Sequence, residues 1–199
     1  MKTKQPAFVI SCHADTGFRR HRLARTGSGG FYGHLDNFAG VHAVMKAFFS
    51  GRMDHDCVRI ELTHGEETDF AGAIAVRRTL SRKDMVAVVD VTGASTKADI
   101  TVEKCGDPRV RKFVETALDG VRHEIFTGCP DPFCDSDETD VYRKKVRSVF
   151  FLGIPCEGGD YNRGTVRCRE RSIDAASRAL VQLADAYAAG LYSRKTYRG

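Results

Sequence analysis

Two hydrophobic periods alternate along this chain, and the switches between them mark out its elements. Ala7-Phe8-Val9-Ile10-Ser11-Cys12 is a short β-favouring run that stops at His13, the pattern of a buried strand carrying a histidine at its end. From Asp36 to Ser50 the apolar residues Phe38, Val41, Val44, Met45 and Phe48 recur at helical spacing, and Gly51 supplies a stop. Cys57 to Thr63 alternates as a half-buried strand, a helix is expected over 69–80, and Met85 to Val89 forms an apolar strand leading into Asp90. Strand, helix and strand at this spacing predict crossover units, and therefore an α/β fold with a largely parallel sheet.

Further along, Ile100 to Lys104 reads as a strand, and Pro108 to Leu118 as a helix opened by Asp107-Pro108. Ser148 to Ile154 reads as another strand and Glu170 to Tyr187 as an alanine- and leucine-rich helix. An irregular loop is expected after His13, and an acidic loop over 131–140. The glycines of Thr26-Gly27-Ser28-Gly29-Gly30 match no phosphate-binding loop. Nothing repeats and no linker divides the chain, so residues 1–199 are expected to form one domain. A chain of this length buries roughly 70% of its unfolded surface.

Composition narrows the class. No stretch approaches the ~20 apolar residues of a membrane span, and the first residues lack the apolar run of a signal peptide, so a cytoplasmic protein without membrane contact is expected. The seven cysteines are an odd number without CxxC spacing, which argues against a disulfide framework. Cys12 and Cys57 suit strand packing, whereas Cys129 and Cys134 flank a Pro-Asp-Pro-Phe loop and are weak candidates for metal. Net charge is +5, with basic clusters at Arg19-Arg20-His21-Arg22, Arg77-Arg78 with Arg82-Lys83, Arg143-Lys144-Lys145 and in the tail. Scattered and not interleaved with aromatics in the sequence, they read as solvated faces, and no nucleic-acid partner is expected.

Four short segments carry the candidate chemistry: His13-Ala14-Asp15, Leu35-Asp36-Asn37, Gly65-Glu66-Glu67 and Val89-Asp90-Val91. Each closes an apolar run or opens a helix, and an open α/β sheet gathers such positions at the carboxyl rim of its strands. A histidine with several carboxylates on one rim suits a two-metal hydrolase, in which a carboxylate bridges two divalent ions and a spare glutamate moves a proton. The adjacent glutamates can serve separate tasks only where the backbone turns, as the loop after Thr63 allows. Taken alone, Asp36 also suits a helix cap, and Asp15 a loop cap.

The ordered set His13-x-Asp15, Asp36-Asn37-x-x-Gly40, Glu66-Glu67 and Asp90, followed by Ser136-Asp137 and Gly153-Ile154-Pro155, resembles the co-catalytic zinc aminopeptidases. That family includes glutamyl and leucyl aminopeptidases with carboxypeptidase and deacylase relatives. The resemblance implies a three-layer αβα sandwich around a mostly parallel mixed sheet, and two zinc ions, with manganese or cobalt as substitutes. It further implies that His13 and Asp90 bind one ion, Glu67 binds the other and Asp36 bridges them. Glu66 would act as general base and Asp15 would orient His13. The implied activity is hydrolysis of an amide bond in a small peptide or N-acyl amino acid. A non-catalytic or single-metal relative that binds a peptide or protein is the alternative.

Two departures stand out. The family's last ligand is a histidine after the Gly-Ile-Pro segment, yet the last histidine here is His123. Asp160 stands nearest that place, with Cys156 and Glu157 as alternatives and a surface turn as the other role for Asp160. The chain also lacks the lid or dimerisation insert of many members, so substrate and assembly are not inherited, leaving room for a homo-oligomer. His34 and His64 lie two residues before Asp36 and Glu66, within reach of the same site.

Overall fold

Four parallel strands carry the centre of the sheet. β1 (Phe8–His13) lies between β4 (Val58–Thr63) and β5 (Met85–Thr92), and β5 continues to β8 (Ser148–Glu157). β1 and β5 are buried along their whole lengths, as expected of near-continuous apolar runs covered on both faces. The computed structural model describes residues 5–27, 29–134 and 136–192; the basic tail, Ser28 of the glycine-rich segment and Asp135 of the acidic loop lie outside them.

Antiparallel strands extend this centre. β2 (Leu23–Thr26) pairs with β3 (Gly30–Gly33), β3 with β9 (Val166–Arg169), and β9 with Cys156 and Glu157 of β8. Lower on β8, Phe151 to Gly153 pair with β6 (Ile100–Glu103), which carries β7 (His123–Ile125). The main path runs β2-β3-β9-β8-β5-β1-β4. Gly153 is required where β6 crosses β8, because a Cβ there would lie 2.3 Å from Thr101 Oγ1 and 2.8 Å from Glu103 Oε1.

Helices cover both faces. α1 (Phe38–Phe49), α3 (Pro108–Ala117) and α5 (Glu170–Ala188) pack on the face bearing Phe8, Ile10, Phe150 and Leu152. α2 (Ala71–Thr79) and α4 (Glu138–Arg143) close the opposite face around Val9, Val88 and Phe151. The result is the three-layer α/β sandwich with a mixed, centrally parallel sheet. Among the described residues no helix is long and apolar enough to cross a membrane.

The strands and helices read from periodicity all form, with ends displaced by a few residues, and five further elements appear. The irregular loop after His13 holds the short pair β2 and β3, and the acidic loop closes in α4. α4 spans six residues, too few for a visible period, and forms through a capping box in which Asp137 accepts from Thr139 N at 2.7 Å and Asp140 reaches back to Asp137 N. β4 begins at Val58, so Cys57 stands just before the strand.

Candidate metal centre

The rim of β1, β5 and the loops after β3 and β4 brings one histidine among carboxylates. His13 ends β1 with only 1% of its surface exposed. Its Nε2 lies 3.0 Å from Asp90 Oδ2 and 3.1 Å from Asp36 Oδ1. Both carboxylates are buried, Asp90 at the carboxyl end of β5 and Asp36 just before α1. The three ligand atoms lie within 4.8 Å of one another, and so do those of His13, Glu66 and Glu67.

Local sequence explains why Asp36 faces inward. The residue that caps α1 is Asn37, whose Oδ1 accepts from Gly40 N at 2.9 Å while its Nδ2 donates to Val89 O at 2.9 Å. Asp36 is thereby left for the rim, and the Asp36-Asn37 peptide is cis. Gly40 completes the motif, since a Cβ there would lie 2.1 Å from Asn37 Oδ1. Asn37 also ties α1 to β5 one residue before Asp90.

The turn that Glu66 and Glu67 need is present. Gly65 has φ +77°, a conformation that favours glycine, and its carbonyl accepts from Asp69 N at 3.0 Å. Gly17 N–H bonds the Glu67 carboxylate, and a Cβ at Gly17 would lie 2.8 Å from Glu67 Oε2. Glu66, Glu67, Asp36 and Asp90 line a cavity of about 330 Å³ together with Tyr161, Asn162 and Arg163.

Electrostatics at this cluster favour positive charge, from a protonated His13 or from a bound cation. Burial first, and Asp90 second, push the Glu66 carboxyl up to about 9 from 4.5. Burial likewise raises Glu67, with Asp36 adding to it, and raises Asp90 against the pull of His13. Burial works to lower His13, but Asp90 and Asp36 outweigh it and drive the imidazole up to about 12. Carboxylates crowded out of water repel one another, so their charged forms need positive charge between them.

The donor set fits a divalent ion. Asp36 Oδ1 is buried without a hydrogen-bond partner. Its 3.1 Å separation from His13 Nε2 is within a few tenths of the ~3.4 Å between neighbouring ligand atoms around tetrahedral zinc. His13 Nδ1 faces Asp15 Oδ1 at 3.5 Å, and neither atom has a hydrogen-bond partner. Asp15 thus stands on the far side of the ring from the cluster.

Asp160 lies on the wall of the same cavity but outside both ligand groups. Its Oδ1 accepts from Asn162 N at 3.0 Å and its Oδ2 pairs with Arg163 Nε at 3.3 Å, the turn geometry open to it from its flanking glycines. Of the other histidines, His34 stacks on Phe18 with ring centres 3.9 Å apart and accepts from Arg22 N, while His64 is exposed. Cys129 and Cys134 contact Glu103, Asp131 and Asp137 through sulfur and belong to neither ligand group.

Two groups beside the site are absent from the sequence reading. Glu138, at the start of α4, is 1% exposed and accepts from Ser11 Oγ at 2.6 Å and from Thr63 Oγ1. Tyr161 donates to Asp131 Oδ2 at 2.7 Å, and Asp131 also accepts from Gly93 N and Phe133 N, which fixes the loops on that side of the cavity. The capping-box spelling Asp137-x-x-Asp140 was the available sign for α4; nothing local marks Tyr161. Arginines also meet aromatics only in three dimensions, where Arg22 and Arg167 each sit 5.9 Å from the Tyr32 ring centre.

No family model and no curated protein matches this chain. Solved structures do. A TET aminopeptidase from the marine sediment Thaumarchaeota archaeon aligns over 87% of this chain and 55% of its own, with TM-score 0.69 and 12% identity. An aminopeptidase from the archaeon Desulfurococcus kamchatkensis aligns over 90% and 55%, with TM-score 0.68 and 15% identity. The Pyrococcus horikoshii TET1 peptidase, which can assemble into a tetrahedron or an octahedral shell, aligns over 83% and 53%, with TM-score 0.66 and 13% identity. At such identities the likeness is one of fold, and this chain spans about half the length of these structures.

Proposed function

We propose that this chain is the catalytic core of a two-metal hydrolase of the zinc aminopeptidase type, acting on an amide bond in a small peptide or N-acyl amino acid. The observation that carries the reading is the convergence of His13, Asp36, Asp90, Glu66 and Glu67 at one strand rim in an aminopeptidase-like fold. His13 and Asp90 would hold one ion and Glu67 the other, with Asp36 serving both and Asp160 on the cavity wall as a further carboxylate. Divalent ions so placed acidify water and polarise a carbonyl. Glu66, whose carboxyl burial raises and the ions' charge would lower again, would take the proton of the attacking water and deliver it to the departing amine. Asp15 positions the His13 ring through Nδ1.

The test is turnover of aminoacyl, dipeptide and N-acyl substrates by protein loaded with zinc, cobalt or manganese. Glu66→Gln is expected to lower kcat by about 10²–10⁴-fold while metal content holds. No turnover by the wild type, or an unchanged rate in the variant, would sink the proposal. A one-ion binding module is the second reading, favoured by the local engagement of Asp160 with Asn162 and Arg163. Native mass spectrometry separates them, since two ions per chain support the hydrolase and one supports the module.

A further inference from the structure

The last strand on the main path, β4, has one edge unpaired among the described residues. Among the described residues it is bonded only to β1, it runs six residues in unbroken register, and it carries neither Pro nor Lys, two of the usual guards of an edge strand. The direction of its backbone groups follows from its bonds. The carbonyls of Cys57 and Thr63 turn toward β1, accepting from Phe8 N at 2.8 Å and Ala14 N at 3.0 Å. Alternation then sends the N–H and C=O of Ile60 and Leu62, and the C=O of Val58, to the open edge. Val58 N–H is already held by His55 O at 2.8 Å.

We propose that β4 is the contact by which two copies of this chain form a twofold dimer, the strands pairing antiparallel about Ile60. In a regular twofold antiparallel pair the axis passes through a residue position, because side chains directly opposite must share a face. An axis at Arg59 would set arginine on arginine, and one at Glu61 glutamate on glutamate. An axis at Ile60 sets Arg59 against the partner's Glu61 on one face and Val58 against the partner's Leu62 on the other. The same register lets Ile60 exchange both of its bonds with its mate and lets Leu62 N–H reach the partner's Val58 carbonyl.

Charge complementarity and exposure select a second copy of this chain as the occupant. Arg59 and Glu61 already bond each other within the strand, each partly exposed, so the pair alternates into a ladder of opposite charges across the axis. Leu62 is 48% exposed and becomes covered. The register with Phe8, Ile10 and Cys12 puts Val58, Ile60 and Leu62 on the face that α1 packs against, and α1 ends in Phe48 and Phe49, 52% and 76% exposed. This inference does not rest on the hydrolase reading.

Light scattering coupled to size exclusion is expected to give twice the 22.0 kDa chain mass. Arg59→Glu or Glu61→Arg alone should weaken the dimer by about ten- to a hundredfold, and the double reversal should restore it. Leu62→Lys, at an exposed position, should give a folded monomer by circular dichroism and carries the test if a charge variant misfolds. Amide exchange of Ile60 and Leu62 should slow as protein concentration rises. A wild-type monomer at about 100 µM, single reversals without effect, a double reversal that stays monomeric, or protection at other strands instead would each overturn the proposal.

Discussion

Replacing Glu138 by alanine tests how the fold supports the metal centre. Glu138 is buried, accepts from Ser11 Oγ at 2.6 Å and from Thr63 Oγ1, and Ser11 Oγ shares a 2.8 Å bond with Tyr142 OH. Burial raises its carboxyl above the ordinary range, and the two hydroxyl bonds pull it back down. A hydrogen bond to a charged group contributes about 1.5–3 kcal/mol, and the desolvation of the carboxylate offsets part of the pair. Removal therefore costs about 3 kcal/mol, since it also leaves buried Thr63 Oγ1 without its partner and Ser11 Oγ with only Tyr142 OH. Glu138→Gln keeps the shape and one acceptor and costs about 1 kcal/mol. Urea unfolding at unchanged m-value measures both. Ser11 shares a β1 face with His13, and Thr63 leads into the Glu66 turn, so the alanine variant should also bind zinc about tenfold more weakly. An alanine variant within about 0.5 kcal/mol of wild type, or a glutamine variant as damaged as alanine, would refute the reasoning.

The metal-chelated protein should lose stability as pH rises. Glu66 moves from 4.5 to about 9 on folding and Asp90 is also raised, so in that window the folded chain holds protons the unfolded chain has released. Stability is then full below about pH 4.5 and falls toward about pH 9, by up to ~1.4 kcal/mol per pH unit for each such group. Urea titrations in chelator should show the fall, Glu66→Gln should make it shallower, and a rise with pH would be the contrary result. Gly40→Ala should destabilise by about 1–3 kcal/mol, because the new Cβ meets Asn37 Oδ1 and displaces both the α1 cap and the bond to Val89. A thermal melt of the metal-free variant equal to or above wild type would contradict that account.

The parts of this protein that were legible in its sequence are those governed by local physics. β1 and β5 announce themselves as buried apolar runs, and α1 and α5 by their period, because both faces of those strands and one face of those helices must leave water. The candidate ligands were legible for the same reason, since they stand where those runs stop. β2, β3, β7 and β9 are three or four residues long and take their form from neighbours distant in sequence, so no local pattern marks them.

By itself, then, the sequence determined that a histidine and four carboxylates stand near strand ends, before a helix or in the turn after a strand of an α/β chain. Tertiary structure decided what each end faces. It made Asn37 the cap and freed Asp36 to stand 3.1 Å from His13, and it turned His34 onto Phe18. It put Glu138 under the site, and among the described residues it left the outer edge of β4 unpaired. These outcomes depend on which elements become neighbours, and that is set by burial and hydrogen bonding summed over the whole chain, which no short stretch of residues contains.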